Sequence, residues 1–354
     1  MKSIRILLLF LAATATNSVA ETAYRVVKLT SDESGVARRF DPNLVNPWGL
    51  VIRPHRNIMI ANNGLDLAAV YTPRGRPTGN RINIPGPPTG LVENFGPDFV
   101  ISNGLPAKVI YVTENGLIAA WNPDLDPHNA VVVIDNSGSN AVYKGVTRAR
   151  TAMHDFIYVA NFHGGVVEMY DDNFQFVKSF TDANLPAGFA PFNVRNLRGK
   201  IFVTYAKQLA PDNEDDEPGA GNGFIDVFDL DGTFLRRFAS QGVLNSPWGI
   251  VRAPSHFGSF TDSVLVGNFG DGRISAFNPE NGNFQGRLRN SDGDPIEIAG
   301  LWGLAFGTRT AVFLDPCACD EVVVNIPVLY FTAGPDDEAH GLFGFVRPRF
   351  FFLP

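Results

Sequence analysis

Cysteine, histidine and methionine are scarce in this chain of 354 residues, with two, six and four copies. Two cysteines cannot form a disulfide framework, so a small stapled fold is excluded. The pair Cys317-x-Cys319 would close a strained ring if bridged. Its two sulfurs, even with Asp315 and Asp320 beside them, fall short of a closed zinc shell. The segment reads as an exposed loop insertion. Positive charge is also limited: 29 Lys and Arg stand against 36 Asp and Glu, a formal net of −7. Binding to a phosphate backbone draws on clustered basic residues, so nucleic acid is not expected as a partner. Helical periodicity is nearly missing, and no apolar run beyond residue 20 is long enough to cross a bilayer. Gly-x-Ser-x-Gly, His-Glu-x-x-His and the contiguous EF-hand spacing are all lacking, so no motif names a chemistry.

The one long apolar run lies at the start. Lys2 and Arg5 precede Ile6–Ala13, and Ser18-Val19-Ala20 is a small-x-small cleavage site. Residues 1–20 therefore read as a secretory signal, and the run is too short for a membrane anchor. The mature protein, 21–354, is expected to be secreted or periplasmic, with a net charge of about −9 once Lys2 and Arg5 are lost.

The rest is rich in turn formers and apolar residues together: 35 Gly, 25 Pro, 29 Phe and 45% hydrophobic side chains. That combination indicates a packed all-β protein, not disorder. The phrase Asn46-Pro47-Trp48-Gly49-Leu50 recurs as Ser246-Pro247-Trp248-Gly249-Ile250 and Gly300-Leu301-Trp302-Gly303-Leu304. Weaker copies are Pro88-Thr89-Gly90-Leu91 and Pro191-Phe192-Asn193-Val194. A spacing of roughly 40–55 residues suits one four-stranded propeller blade.

Short β-rich runs sort into six such units. The first holds Trp48–Pro54, Ile58–Asn63, Ala68–Thr72 and Ile82–Pro85; the second, Gly90–Asn94, Val109–Glu114, Ile118–Asn122 and Val131–Asp135. The third holds Val142–Thr147, Phe156–Phe162, Val166–Tyr170 and Phe176–Phe180; the fourth, Phe192–Leu197, Ile201–Tyr205, Phe224–Phe228 and Phe234–Phe238. The fifth holds Trp248–Arg252, Val264–Asn268, Ile274–Phe277 and Phe284–Leu288, and the sixth only Trp302–Phe306, Val328–Thr332 and Leu342–Val346. The unassigned run Tyr24–Leu29 is expected to supply the missing outer strand, closing a six-bladed β-propeller in one domain. Third strands end in an aromatic before Asp, Asn or Thr-Pro, as in Trp121-Asn122-Pro123 and Tyr170-Asp171; the aromatic should pack between blades and the Asx side chain should bond the turn.

Strand order then places a site. Connections leading into first strands and connections from second to third strands lie on one face, around the channel mouth. That mouth collects Asn46, Asn62, Asn63, Glu114, Asn161, His163, Asn193, Tyr205, Lys207, Asn268 and Asp271, the run Asp212–Glu217, and Asp336, Asp337, Glu338 and His340. Three readings compete. Asp215, Asp216, Asp336, Asp337 and Glu338 are hard-oxygen ligands suited to calcium. His163 or His340 beside a carboxylate suits a general base. The third reading is that Asn, Asp and Gly simply form turns, with the acids solvated. Trp48, Trp248 and Trp302 follow the repeat and are expected to plug the channel ends of inter-blade seams, each followed by a glycine that permits close approach or a bulge.

Several longer phrases, among them Asp41–Leu50, Ala160-Asn161-Phe162-His163, Asn184–Asn193, Val203–Gln208, Gly267–Gly272 and Phe331–Asp337, resemble an exported, largely uncharacterised bacterial β-propeller family. Some of its members carry a Pro-Glu-Pro-type C-terminal sorting tail, and the segment after Val346 lacks that tail. The resemblance implies an NHL-like six-bladed propeller and brings no established catalytic residues. The leading expectation is a secreted binding module for a protein, glycan or small ligand at the mouth. The alternative is a calcium-assisted, lactonase-like hydrolase or lyase at the same place.

Overall fold

A strand of five to eight residues, apolar on both faces, is buried only when other strands flank it on both sides. The computed structural model, which describes residues 22–53, 57–314 and 321–349, solves this with six radially arranged sheets. The N-terminal strands β1 (Tyr24–Ser31) and β2 (Arg39–Phe40) belong to the last sheet. The first blade comprises β3 (Pro47–Ile52), β4 (Ile58–Asn62), β5 (Leu67–Tyr71) and β6 (Pro77–Asn83). Next come β7 (Pro88–Glu93), β8 (Val109–Thr113), β9 (Leu117–Trp121) and β10 (Val131–Asp135), then β11 (Tyr143–Arg150), β12 (Asp155–Asn161), β13 (Val166–Asp171) and β14 (Phe176–Phe180). The fourth blade is β15 (Phe189–Leu197), β16 (Lys200–Lys207), β17 (Gly223–Phe228) and β18 (Phe234–Ser240); the fifth is β19 (Pro247–Arg252), β20 (Val264–Asn268), β21 (Ile274–Phe277) and β22 (Phe284–Arg287). The sixth is β23 (Leu301–Leu314), β24 (Glu321–Ala333) and β25 (Leu342–Pro348), completed by β1. β1 runs antiparallel to β25 from Tyr24↔Pro348 to Ser31↔Leu342, so the ring closes through the N-terminal strand.

The structure departs from the sequence reading in three places. The last blade gains a fifth strand, because β2 pairs in parallel with the end of β1. β23 and β24 run well past the expected Phe306 and Val328, their pairing continuing through Arg309↔Ile326 to Leu314↔Glu321. The outer strand of the first blade begins at Pro77 instead of Ile82. Residues 1–20, with the expected signal, and Cys317 and Cys319 lie outside the described residues.

Six apolar clusters fill the six seams between neighbouring blades. The aromatics ending third strands, Tyr71, Trp121, Tyr170, Phe228 and Phe277, are buried in them. The Asx turns form as expected: the Asp171 carboxylate accepts from the Asn173 and Gln175 amides, and Asn278 accepts from Glu280 and Asn281.

Every first strand carries a register break near its start. The displaced residues are Trp48-Gly49, Thr89-Gly90, Lys144, Phe192, Trp248 and Trp302-Gly303. A bulge bends a strand and re-aims the side chain at the break. Where a glycine follows, the next blade's backbone comes against it: a Cβ on Gly49 would stand 2.7 Å from the Thr89 carbonyl oxygen, and one on Gly303 2.5 Å from that of Trp48. We predict that Gly303→Ala lowers unfolding free energy by about 1–3 kcal/mol through overpacking. Gly138→Ala, where a Cβ meets open space, should change it by less than about 0.5 kcal/mol. Chemical denaturation of both variants checks the difference.

Candidate functional site

The bulges turn one residue per blade toward the channel mouth. Three of these are tryptophans, and they meet each other rather than filling separate seams as the sequence suggested. Trp48 and Trp302 stack with ring centroids 3.5 Å apart, and Trp248 meets both edge-on at 6.1 and 5.7 Å. Phe162, Phe192 and Phe269 complete a plug over the axis. Against it lies a cavity of about 20 Å3, lined by Gly49, Gly90, Gly249 and Gly303 with Asn193, Arg195 and Trp248. That is room for about one water molecule.

A polar layer lies on the plug, and Lys144 is its centre. Its side chain is 2% exposed, and its ammonium donates to Glu114 Oε1 at 2.5 Å and Asp215 Oδ1 at 3.3 Å. The ammonium also lies 5.1 Å from the Trp48 ring centroid, a cation–π contact. Burial opposes its charge, but the two carboxylates outweigh that and hold its pKa above the ordinary lysine value. From Glu114 the network runs outward: Asn63 donates to Glu114 Oε2 at 2.7 Å, Asn46 to Asn63 at 3.2 Å, and Trp48 Nε1 to Asn46 at 3.0 Å.

Glu338 enters the layer from the loop between β24 and β25. Asp336, Asp337 and Glu338 have φ of 54, 50 and 67°. Non-glycine residues rarely visit the left-handed region, and three in succession form a strained left-handed turn. The turn is closed by the Ala339 and His340 amides donating to the Asp336 and Pro335 carbonyls. It delivers Glu338 Oε1 to the Trp302 indole N–H at 3.1 Å. Burial, then the Glu114 charge, push the Glu338 carboxyl up to about 7, against the pull of Lys144 and the Asn46 and Trp302 donors. Asp216 behaves similarly: burial raises it to about 6, opposed by the Ser246 hydroxyl and by Lys144.

The remaining candidates are distributed otherwise. Asn161 donates to Glu168 at 2.7 Å and Asn268 to Asp271 at 3.0 Å, both bracing loops after second strands. Asn193 donates to the Trp248 carbonyl at 2.8 Å, tying two blades together. Asn62 is fully buried and its side-chain amide makes no hydrogen bond. Tyr205 lies in the seam between the third and fourth blades, away from the mouth. Lys207 pairs with Glu217 at 2.7 Å across its own loop, and His163 is half-buried after β12.

Among the described residues, the five acids read as calcium ligands form no group whose ligating atoms lie within 4.8 Å of one another. Asp215 pairs with Lys144, Asp216 and Glu338 are half-buried and feel the Lys144 charge, and Asp337 is exposed. Asp336 alone of the five joins other donors, lying at the rim with Glu33 and His340, their ligating atoms within 4.8 Å of one another. Asp32 orients that imidazole, its Oδ2 3.0 Å from Nδ1, and this contact above all raises the His340 pKa. Sequence reasoning missed Lys144, Asp32 and Glu33. Lys144 was detectable, since it precedes Gly145 in the register that Trp48 and Trp248 occupy before Gly49 and Gly249.

No family model matches the chain. It is 32% identical over 340 residues to uncharacterised protein R648 of Acanthamoeba polyphaga mimivirus, covering 92% of this chain and 80% of that protein. With uncharacterised protein L690 of the same virus, identity is 34% over 339 residues, covering 88% of each. These relatives are viral, so they lend no support to a bacterial origin. Among solved structures, a streptogramin B lyase superposes with a TM-score of 0.52 at 10% identity, covering 93% of this chain and 98% of that one. The α-L-arabinanase of Penicillium chrysogenum gives 0.54 at 12% identity, with 91% and 97% covered. At these identities the likeness shows the propeller fold alone.

The raised Glu338 carboxyl has a thermodynamic consequence. The folded protein holds this proton more tightly than the unfolded chain, so the contribution is present below about pH 4.5 and lost as pH rises through about 7. Glu338→Gln, which fixes a neutral side chain, should flatten this decline and stabilise the protein at pH 8 relative to wild type, by at most about 3 kcal/mol. Urea unfolding at pH 5 and pH 8 measures it.

Proposed function

The chain belongs to the same family as the uncharacterised mimivirus proteins R648 and L690, and from that premise we propose that its channel mouth binds a small polar ligand carrying positive charge. Glu338 is the group that exchanges a proton with that ligand. The observation that carries the reading is the left-handed turn Asp336–Glu338. Each such residue costs of order 1–3 kcal/mol, and strain of this kind persists where the surroundings over-determine it, often at ligand sites. Here it brings a carboxyl that titrates near neutrality onto the plug, the property a general acid or base needs.

The charge of the layer sets the ligand's sign. Glu114, Asp215, Asp216 and Glu338 outnumber Lys144, leaving net negative potential around the mouth. Trp48, Trp248 and Trp302 are 2, 5 and 1% exposed, their faces spent on one another, which favours a small polar ligand over a sugar stacked on an aromatic platform. On the reading of residues 1–20 as a secretion signal, the ligand is met outside the cell.

Paired probes isolate the charge: glucosamine against glucose, and putrescine against 1,4-butanediol. The amines should raise the melting temperature with concentration while the neutral partners do not, and Glu338→Gln should weaken the amine effect about tenfold or more. Equal responses within each pair, or none to either amine, would contradict the proposal.

A cation at the rim is the second reading, favoured by the convergence of Glu33, Asp336 and His340. Calcium prefers an all-oxygen shell, whereas one imidazole and two carboxylates suit zinc, with Asp32 behind the histidine as the supporting carboxylate. Titration with zinc and with calcium should then raise the melting temperature more for zinc. The rise should disappear in Asp336→Ala; if it survives that substitution, the rim reading fails.

A further inference from the structure

A second charged concavity lies away from the mouth, on the seam where the last blade meets the first. It is a groove of about 430 Å3 lined by Arg39 on β2, by Thr72, Arg74 and Arg76 in the turn after β5, and by Thr308 and Arg309 on β23. Arg309 is the fixed member. Its strand is paired with β24 through the position, from Thr308↔Pro327 and Arg309↔Ile326 to Thr310↔Asn325, and its guanidinium lies 4.6 Å from the Phe345 ring centroid. Its Nη1 is buried without a hydrogen-bond partner. Burial above all lowers its pKa; Tyr330 opposes this, while Arg38, Arg74 and Arg347 lower it further through like charge. Among the described residues, no acidic side chain forms an ion pair with Arg39, Arg74, Arg76 or Arg309.

This is costly in a chain whose net charge is −7. Counter-charge is abundant in the sequence, yet among the described residues no acidic side chain pairs with these arginines, and a partly buried guanidinium without an ion-pair partner is unfavourable unless an anion supplies one. Guanidinium forks match the oxygen geometry of phosphate and sulfate bidentately. The groove is larger than one tetrahedral anion and falls in the range of small-ligand pockets, not of a stripe that tracks a polymer.

We propose that this groove binds a phosphate or sulfate group borne on a small organic molecule, with Arg309 as anchor and Arg39, Arg74 and Arg76 closing over it. The groove uses none of the residues assigned to the mouth, so it stands whether or not the reading of the mouth holds.

Calorimetric titration of the full chain at ionic strength fixed with sodium chloride tests it, using inorganic phosphate and sucrose octasulfate as probes. Both should bind, the octasulfate about tenfold or more tightly because it engages several arginines at once. Equal affinity would assign the site to the free oxyanion. Arg309→Gln should abolish binding. Arg74→Gln with Arg76→Gln, both exposed and therefore safe for folding, should weaken it about tenfold, and Glu338→Gln should leave it unchanged. No heat beyond that of the chloride control, or an unaltered affinity in the double variant, would overturn the proposal.

Discussion

Six first strands must converge on one axis, and the space there is too small for ordinary side chains on every residue. The bulge at the start of each first strand resolves this, with a glycine taking the closest approach in five blades and Asn193 standing in the fourth. The same bulge directs the preceding side chain to the mouth. Tryptophan or phenylalanine there closes the channel, threonine bonds a neighbouring backbone, and lysine in the third blade introduces a charge. A buried ammonium needs carboxylates, and Glu114 and Asp215 supply them. Burial above all, and the charge of Glu114 after it, then make a further carboxylate expensive to ionise, which is why Glu338 titrates near neutrality. The electrostatics of the mouth thus descend from a steric constraint of ring closure.

The fold was legible because the constraint repeats. Trp48-Gly49, Trp248-Gly249 and Trp302-Gly303 announce the bulge, and the aromatic-Asx ends of third strands announce the seams and turns. The mouth was legible in outline, since strand order alone places Asn46, Asn63, Glu114, Asp215 and Glu338 on one face. What pattern could not give was partnership. Tyr205 sits among mouth residues in sequence, but alternation along β16 sends it into a seam. Asp32 meets His340 across 308 positions, a contact created only when β1 closes the ring. Lys144 escaped notice because its blade lacks the Pro-Trp phrase, although the glycine after it keeps the register.

Charge is divided between two regions that net composition averages away. The mouth concentrates acids around one lysine, while the groove at the closing seam concentrates arginines, with no acid lining it among the described residues. Arg39, Arg74 and Arg309 come from three separate segments, so no basic run in the sequence reveals them, and an acidic total argues against polyanions for the whole surface without excluding one local anion site. Both regions adjoin the blade that the N-terminal strand completes, which makes ring closure the step that assembles the chemistry as well as the fold.

The central claim is that the plug and its polar layer hold Glu338 in a state where protonated and ionised forms coexist at neutral pH. Carbon-detected NMR of the Glu338 side-chain carboxyl, followed from pH 4 to 9, reads this directly. The account predicts a midpoint near 7. A midpoint close to the ordinary glutamate value of about 4.3 would show that the layer does not desolvate the carboxyl, and would contradict the account.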